Sequence, residues 1–82
     1  MSKSDRIDFA DLKSFLAIVR CRSFKLAAIE LGQTPSAVSH AMRRLEDRLG
    51  AKLLNRSSRS VSTTAAGRDL AARLEEGFNQ IG

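Results

Sequence analysis

Residues 23–50 read SFKLAAIELGQTPSAVSHAMRRLEDRLG, and the fold is decided there. Ser23 is placed to cap a helix on which Phe24, Ala27, Ala28 and Leu31 fall at helical spacing, and Gly32 follows where a left-handed terminal residue is wanted. Thr34-Pro35 then supplies a capping hydroxyl and a proline at the first helical position, whose fixed φ already suits a helix. In the next helix Val38, Met42, Leu45 and Leu49 advance by four, three and four residues, which turns one stripe toward a core, and Gly50 is placed to end it. Two helices joined by a tight turn are therefore expected, with the second presenting its other face outward.

That outward face carries Ser36, Ser39, His40 and Arg43 near its start, with Arg44, Asp47 and Arg48 further along. Hydroxyl, imidazole and guanidinium groups are the donors that reach phosphates and base edges, and an α-helix fits the major groove of B-form DNA. A second helix locked across the first by a short turn fixes the angle of entry. The stretch thus has the layout of a DNA reader.

The flanking sequence builds a platform for the pair. Asp8 can cap a first helix on which Leu12, Phe15, Leu16 and Val19 form an i, i+3, i+4, i+7 stripe, closing a three-helix core. After Gly50 the pattern changes to AKLLNRSSRSVST, two short apolar segments around Leu53-Leu54 and Val61 joined by the polar run from Asn55 to Ser60, which reads as a small hairpin. Thr64 can cap a last helix on which Leu70, Leu74, Phe78 and Ile81 recur every three or four residues beside Ala66, Ala71 and Gly77. That stripe is longer than so small a core can bury, so a second chain is its expected cover, the small residues leaving room for a partner helix. Helix is expected over at least two-thirds of residues 9–81, with one two-stranded wing between Gly50 and Thr64.

Composition narrows the function classes. The 82 residues make room for one domain with a modest core, and a hydrophobic share of 43% is that of a folded chain. Residues 36–59 carry six basic and two acidic groups, so +4 of the formal +5 falls on the outward helix and the hairpin. Positive charge on the elements already expected to be exposed is the footprint of a polyanion partner. A membrane surface is disfavoured because no helix pairs a wide apolar face with a dense Lys/Arg face. With neither a signal peptide nor a transmembrane run, the expected location is the cytoplasm, on the nucleoid. Cys21 stands alone, so there is no disulfide framework and no metal cluster to read, and nothing calls for a cofactor. Paired carboxylates, metal-ligand spacing and a glycine-rich phosphate loop are all missing, and the chain does not read as an enzyme.

The run SFKLAAIELGQTPSAVSHAMRRLEDRLGAKLLNRSSRSVSTTAAG resembles the N-terminal DNA-binding domain of LysR-type bacterial transcription regulators, over nearly the whole chain. The resemblance rests on SF..AA, on AVS...RRLE..LG in the third helix, on LLNR..R.V.TT.AG in the wing, and on the spacing between them. It implies a winged helix-turn-helix over residues 1–64 and a linker helix over 65–82 that pairs antiparallel with its twin in a homodimer. It further implies partly palindromic promoter sites on double-stranded DNA, the third helix in the major groove and the wing at an adjacent minor groove. Members sense a small-molecule effector through a larger C-terminal domain, which is expected to be absent from this chain.

Carried over residue by residue, the DNA-contacting set falls on Thr34, Pro35, Ser36, Ser39, His40 and Arg43, with the wing arginine at Arg59, and the dimer stripe on Leu70, Leu74, Phe78 and Ile81. Many relatives have glutamine at Pro35 and arginine at His40. A proline donates nothing and a neutral imidazole makes one donor bond, so both positions depart from the usual base readers. Plainer roles stand beside these. Ser36 and Ser39 also read as solvated helix residues, and His40 is open between base reader, phosphate contact and idle surface residue. Arg43, Arg44 and Arg48 cannot all face the groove at 100° per residue, so Arg44 and Arg48 are expected to lie beside it or to pair with acids such as Asp47 and Glu75, a solvated face being as open to them as phosphate contact. Glu46 reads as a structural acid anchoring a backbone or an arginine, and Cys21 as a small packing residue. The competing reading of the whole chain is a protein-interaction module that pairs through its last helix with a full-length regulator.

Overall fold

A computed structural model describes residues 7–56 and 61–81, with side chains described as far as residue 77. Four helices and a two-stranded sheet follow in order: α1 Phe9–Cys21, α2 Phe24–Leu31, α3 Pro35–Leu49, β1 Leu54–Arg56, β2 Val61–Thr63 and α4 Ala65–Ile81. The strands pair antiparallel, with Leu54 opposite Thr63, Asn55 opposite Ser62 and Arg56 opposite Val61. This is a winged helix-turn-helix with a long terminal helix.

Each helix begins on a side-chain cap. Asp8 Oδ1 accepts from the Ala10 N–H at 3.1 Å, Ser23 Oγ from Leu26 N–H at 3.1 Å, Thr34 Oγ1 from Ala37 N–H at 3.1 Å, and Thr64 Oγ1 from Gly67 N–H at 3.0 Å. These bonds satisfy donors that the first turn of a helix leaves without partners. Gly32 and Gly50 end α2 and α3 with φ of 70° and 69°, as their positions in the sequence predict. At the end of α1 the same left-handed turn is taken by Arg22, whose φ is 56° and whose N–H reaches the Ile18 carbonyl at 2.6 Å.

The core forms where α1, α2 and α3 meet, around Phe15, Ile18, Ala28, Val38, Met42 and Leu45, with Leu53 and Leu54 closing it from below. On α1 the buried face is turned from the expected stripe. Leu12, Leu16 and Val19 are half-buried, while Ile18 is fully enclosed and Asp11 and Ser14 are buried with it. Two polar residues are tolerated there because both are satisfied: Ser14 donates to the Ala10 carbonyl at 3.1 Å and Asp11 accepts a two-pronged bond from Arg44. Leu49, expected in the core, is 38% exposed, since it lies in the last turn of α3 beyond the layer closed by Leu45.

The segment at residues 52–54 ties wing, α3 and α4 together. Glu46 Oε2 accepts from the N–H groups of Leu53 at 2.9 Å and Leu54 at 3.2 Å, the anchoring role its position suggests. On the carbonyl side, Thr64 Oγ1 donates to the Lys52 carbonyl at 2.6 Å and the Thr64 N–H to the Leu53 carbonyl at 3.0 Å. Gly67 completes the junction. A Cβ there would stand 2.1 Å from the Leu53 carbonyl oxygen and 2.9 Å from its carbon, so only glycine lets α4 come so close.

Two stability outcomes follow from this junction. Gly67→Ala is expected to lose about 1–3 kcal/mol or more, because backbone on both sides must shift to admit a methyl group. Glu46→Ala is expected to cost about 1–3 kcal/mol for each of the two N–H groups left unpaired, and Glu46→Gln far less, since its amide oxygen still accepts. Urea unfolding of the three proteins measures both; an unchanged midpoint in Gly67→Ala would contradict the close approach.

Candidate nucleic-acid interface

A helix turns by 100° per residue, so Ser36, Ser39, His40 and Arg43 share one face of α3, opposite the buried Val38, Met42 and Leu45. Pro35, Ser36, His40 and Arg43 are exposed and Ser39 is half-buried. Thr34, also exposed, spends one oxygen lone pair on the cap of α3 and keeps its hydroxyl proton for another acceptor. These six residues of the expected DNA-contacting set thus run from the N-cap of α3 into its third turn. Arg59 lies outside the described residues.

Arg44 pairs with an acid, one of the roles expected for it, but the acid is Asp11 on α1 and not Asp47. Its Nε and Nη2 reach Asp11 Oδ2 and Oδ1 at 3.3 and 2.9 Å, and this hydrogen bonding raises the guanidinium pKa further above its ordinary range. The pair clamps the start of α1 to the middle of α3. Sequence could not pair them, because 33 positions intervene and the burial of Asp11, 2% exposed, depends on the assembled core. Arg44 is thus drawn back to α1, while Arg43 stays exposed on the outward stripe.

The wing brings a residue that the sequence reading left out of the set. Arg56, in β1, lies over the Phe24 ring with its guanidinium carbon 4.9 Å from the centroid, while Nη2 stands 3.9 Å from Glu46 Oε1. Arg56 lines one groove with Phe24, Pro35, Ser36, Ser39 and Val61, so the base of the wing and the start of α3 form a continuous surface. The motif LLNR marked a basic residue there, but not which face of the strand it occupies. At the other end of α3, Arg43 and Lys52 border a shallow hollow with Glu46, Asp47 and Gly50.

Elsewhere, Arg20 pairs with Glu30, and the half-buried Cys21 thiol lies 3.6 Å from Glu30 Oε1 at the α1–α2 corner. On α4, Leu70 and Leu74 are half-buried against the chain's own core and Ala71 is buried in it, so the expected free stripe is narrower than its spacing implies. The reason is Gly67, which lets the first turns of α4 close on Leu53. Ala66 remains exposed, and open space surrounds the Cα of Gly77. The side chains of Phe78 and Ile81 lie outside those described. No helix among the described residues is long and apolar enough to cross a membrane.

Comparison with known proteins agrees with this layout. A family described as bacterial regulatory helix-turn-helix protein, lysR family, matches residues 9–68. The uncharacterized HTH-type transcriptional regulator YcaN of Escherichia coli K12 is 45% identical over 76 residues, covering 93% of this chain and 25% of YcaN. Among solved structures, oxidized OxyR of Corynebacterium glutamicum superposes with a TM-score of 0.85 at 33% identity, over 93% of this chain and 23% of OxyR. The CbnR_DBD–DNA complex gives a TM-score of 0.84 at 31% identity, over 92% of this chain and 86% of that one. The chain thus spans about a quarter of the length of the full-length regulators it matches. With the match running from α1 into the first turn of α4 and the same fold in these structures, the chain belongs to the LysR family of bacterial regulatory helix-turn-helix proteins.

Proposed function

We propose that this chain binds double-stranded DNA sequence-specifically and controls transcription from a promoter as one half of a homodimer. The observation that carries the reading is the stripe of Ser36, Ser39, His40 and Arg43 on one exposed face of α3, beside the wing and braced from behind by the core. A helix so held presents its first two turns to the floor of the major groove while the flanking groups reach phosphate. The likeness to a domain solved in complex with DNA supports it, at a TM-score of 0.84 over 92% of the chain. In this reading Arg59 in the wing enters the adjacent minor groove, where a narrow A·T-rich stretch concentrates negative potential. Pairing of α4 with a longer regulator, the competing role, leaves the polar stripe of α3 unused.

The division of labour places 1–64 on the duplex and 65–82 at the dimer interface. Leu70 and Leu74 contribute their uncovered sides, and Phe78 and Ile81 continue the stripe at the same helical spacing in the sequence. A two-fold dimer presents two copies of α3, so its site consists of two inverted half-sites about one helical turn apart or a multiple of it. Effector response belongs to a C-terminal domain of the kind the longer relatives have room for.

Affinity for random duplex DNA is expected to fall linearly with salt on logarithmic axes, as release of counterions from neutralised phosphates requires. On the specific site, Ser39→Ala or His40→Ala is expected to cost roughly 1–3 kcal/mol if either reads a base, with less loss on random DNA, whereas Arg43→Ala weakens both alike. Competition binding separates these cases, and parental affinity in all three variants would remove α3 from the interface. For the dimer, Phe78→Glu is the cleaner probe, because Leu74 also serves the chain's own core. The variant is expected to sediment as a folded monomer and to lose joint occupancy of the two half-sites; a dimer unchanged by it would exclude the outer half of α4 as the contact.

A further inference from the structure

We propose that Arg56 is a phosphate-binding residue at the base of the wing, gripping the duplex backbone beside the point where α3 enters. The inference deepens the DNA-binding reading above and rests on it. Three observations converge on this side chain.

The first is location. Arg56 lines the groove that also contains Pro35, Ser36 and Ser39, so its guanidinium stands next to the outward hydroxyls of α3. A strand of duplex backbone flanking a major-groove helix runs past that groove's rim. The second is aim. The guanidinium carbon lies over the ring of Phe24, 4.9 Å from its centroid, and the Glu46 carboxylate attracts the group from 3.9 Å. The ring attracts the cation through its π-electrons from 4.9 Å, and the separation from Glu46 is beyond hydrogen-bond reach, so neither contact takes up an N–H donor at bonding distance. The guanidinium is thereby held in place with donor edges for a two-pronged acceptor, the geometry in which arginine holds phosphate. The third is the state of Glu46. Its Oε2 is bonded to the Leu53 and Leu54 N–H groups, so the carboxylate is committed to the backbone and guides Arg56 without capturing it. The side chain remains 32% exposed.

A residue that only braced the wing would make the same contacts with Phe24 and Glu46, and the test must separate the two roles. Binding of a random-sequence duplex is followed by fluorescence anisotropy over a series of salt concentrations for the parent chain, R56Q and R56K, with thermal melting of each. A phosphate contact predicts that R56Q binds roughly ten-fold more weakly, as the loss of a charged hydrogen bond implies. Its log–log salt slope is expected to be shallower by about 0.9. R56K is expected to keep the parental slope, because the charge remains.

A folded R56Q with the parental slope would overturn the proposal, whatever its melting temperature, and would leave duplex binding by the parent intact. A parent chain whose affinity ignored salt would overturn the DNA-binding reading itself. Should R56Q fail to fold, the parent is labelled with an arginine-specific dicarbonyl reagent with and without the duplex and read by mass spectrometry. Protection of Arg56 by the duplex supports the contact, and equal labelling overturns it.

Discussion

The carboxylate of Glu46 governs the arrangement of everything that follows α3. One of its oxygens bonds the N–H groups of Leu53 and Leu54 as the chain leaves the helix, and so sets the start of the wing relative to the face that α3 presents. In a chain this small a buried acid is costly unless it is satisfied, and here two backbone donors bond it while a guanidinium 3.9 Å away offsets its charge. An apolar residue at the same position would leave those two N–H groups without partners. The acid therefore locates the wing as well as filling space, and the groove shared by Arg56, Ser36 and Ser39 exists because of that placement.

A second polar bond across the core does for α1 what Glu46 does for the wing. Asp11 is all but buried, and its two oxygens take the Arg44 guanidinium from the solvent side of α3. Arg44 is half exposed, so water screens the pair and its contribution lies in orientation more than in energy. Neighbouring arginines on α3 thus point to different tasks: Arg43 toward the outside, Arg44 back to the platform.

Local chemistry was legible in the sequence because it depends on neighbours within four residues. Asp8, Ser23, Thr34 and Thr64 each cap the helix they were read to cap, and Gly32 and Gly50 end theirs. The change of period after Gly50 marked the wing, and the position of Glu46 on the inner flank of α3 marked an anchor. What escaped depends on assembly. The partner of Arg44 is 33 positions away, the buried face of α1 is set by which helices surround it, and the narrowing of the α4 stripe follows from one close approach at Gly67. Arg56 was visible as a basic residue in a motif, yet its place in the groove needed the strand register that sets it opposite Val61.

The close contact at Gly67 also has a mechanical side. Residues 52–54 are bonded by their N–H groups to α3 and by their carbonyls to the start of α4, so α4 has no slack at its root. Seventeen residues of helix make an arm of about 25 Å, and each degree of tilt at the root moves its far end by about 0.4 Å. In the proposed dimer, two such arms would hold two copies of α3 at a span governed by this junction in each chain. The spacing of DNA half-sites that such a pair could bridge would be fixed by one missing methyl group at position 67.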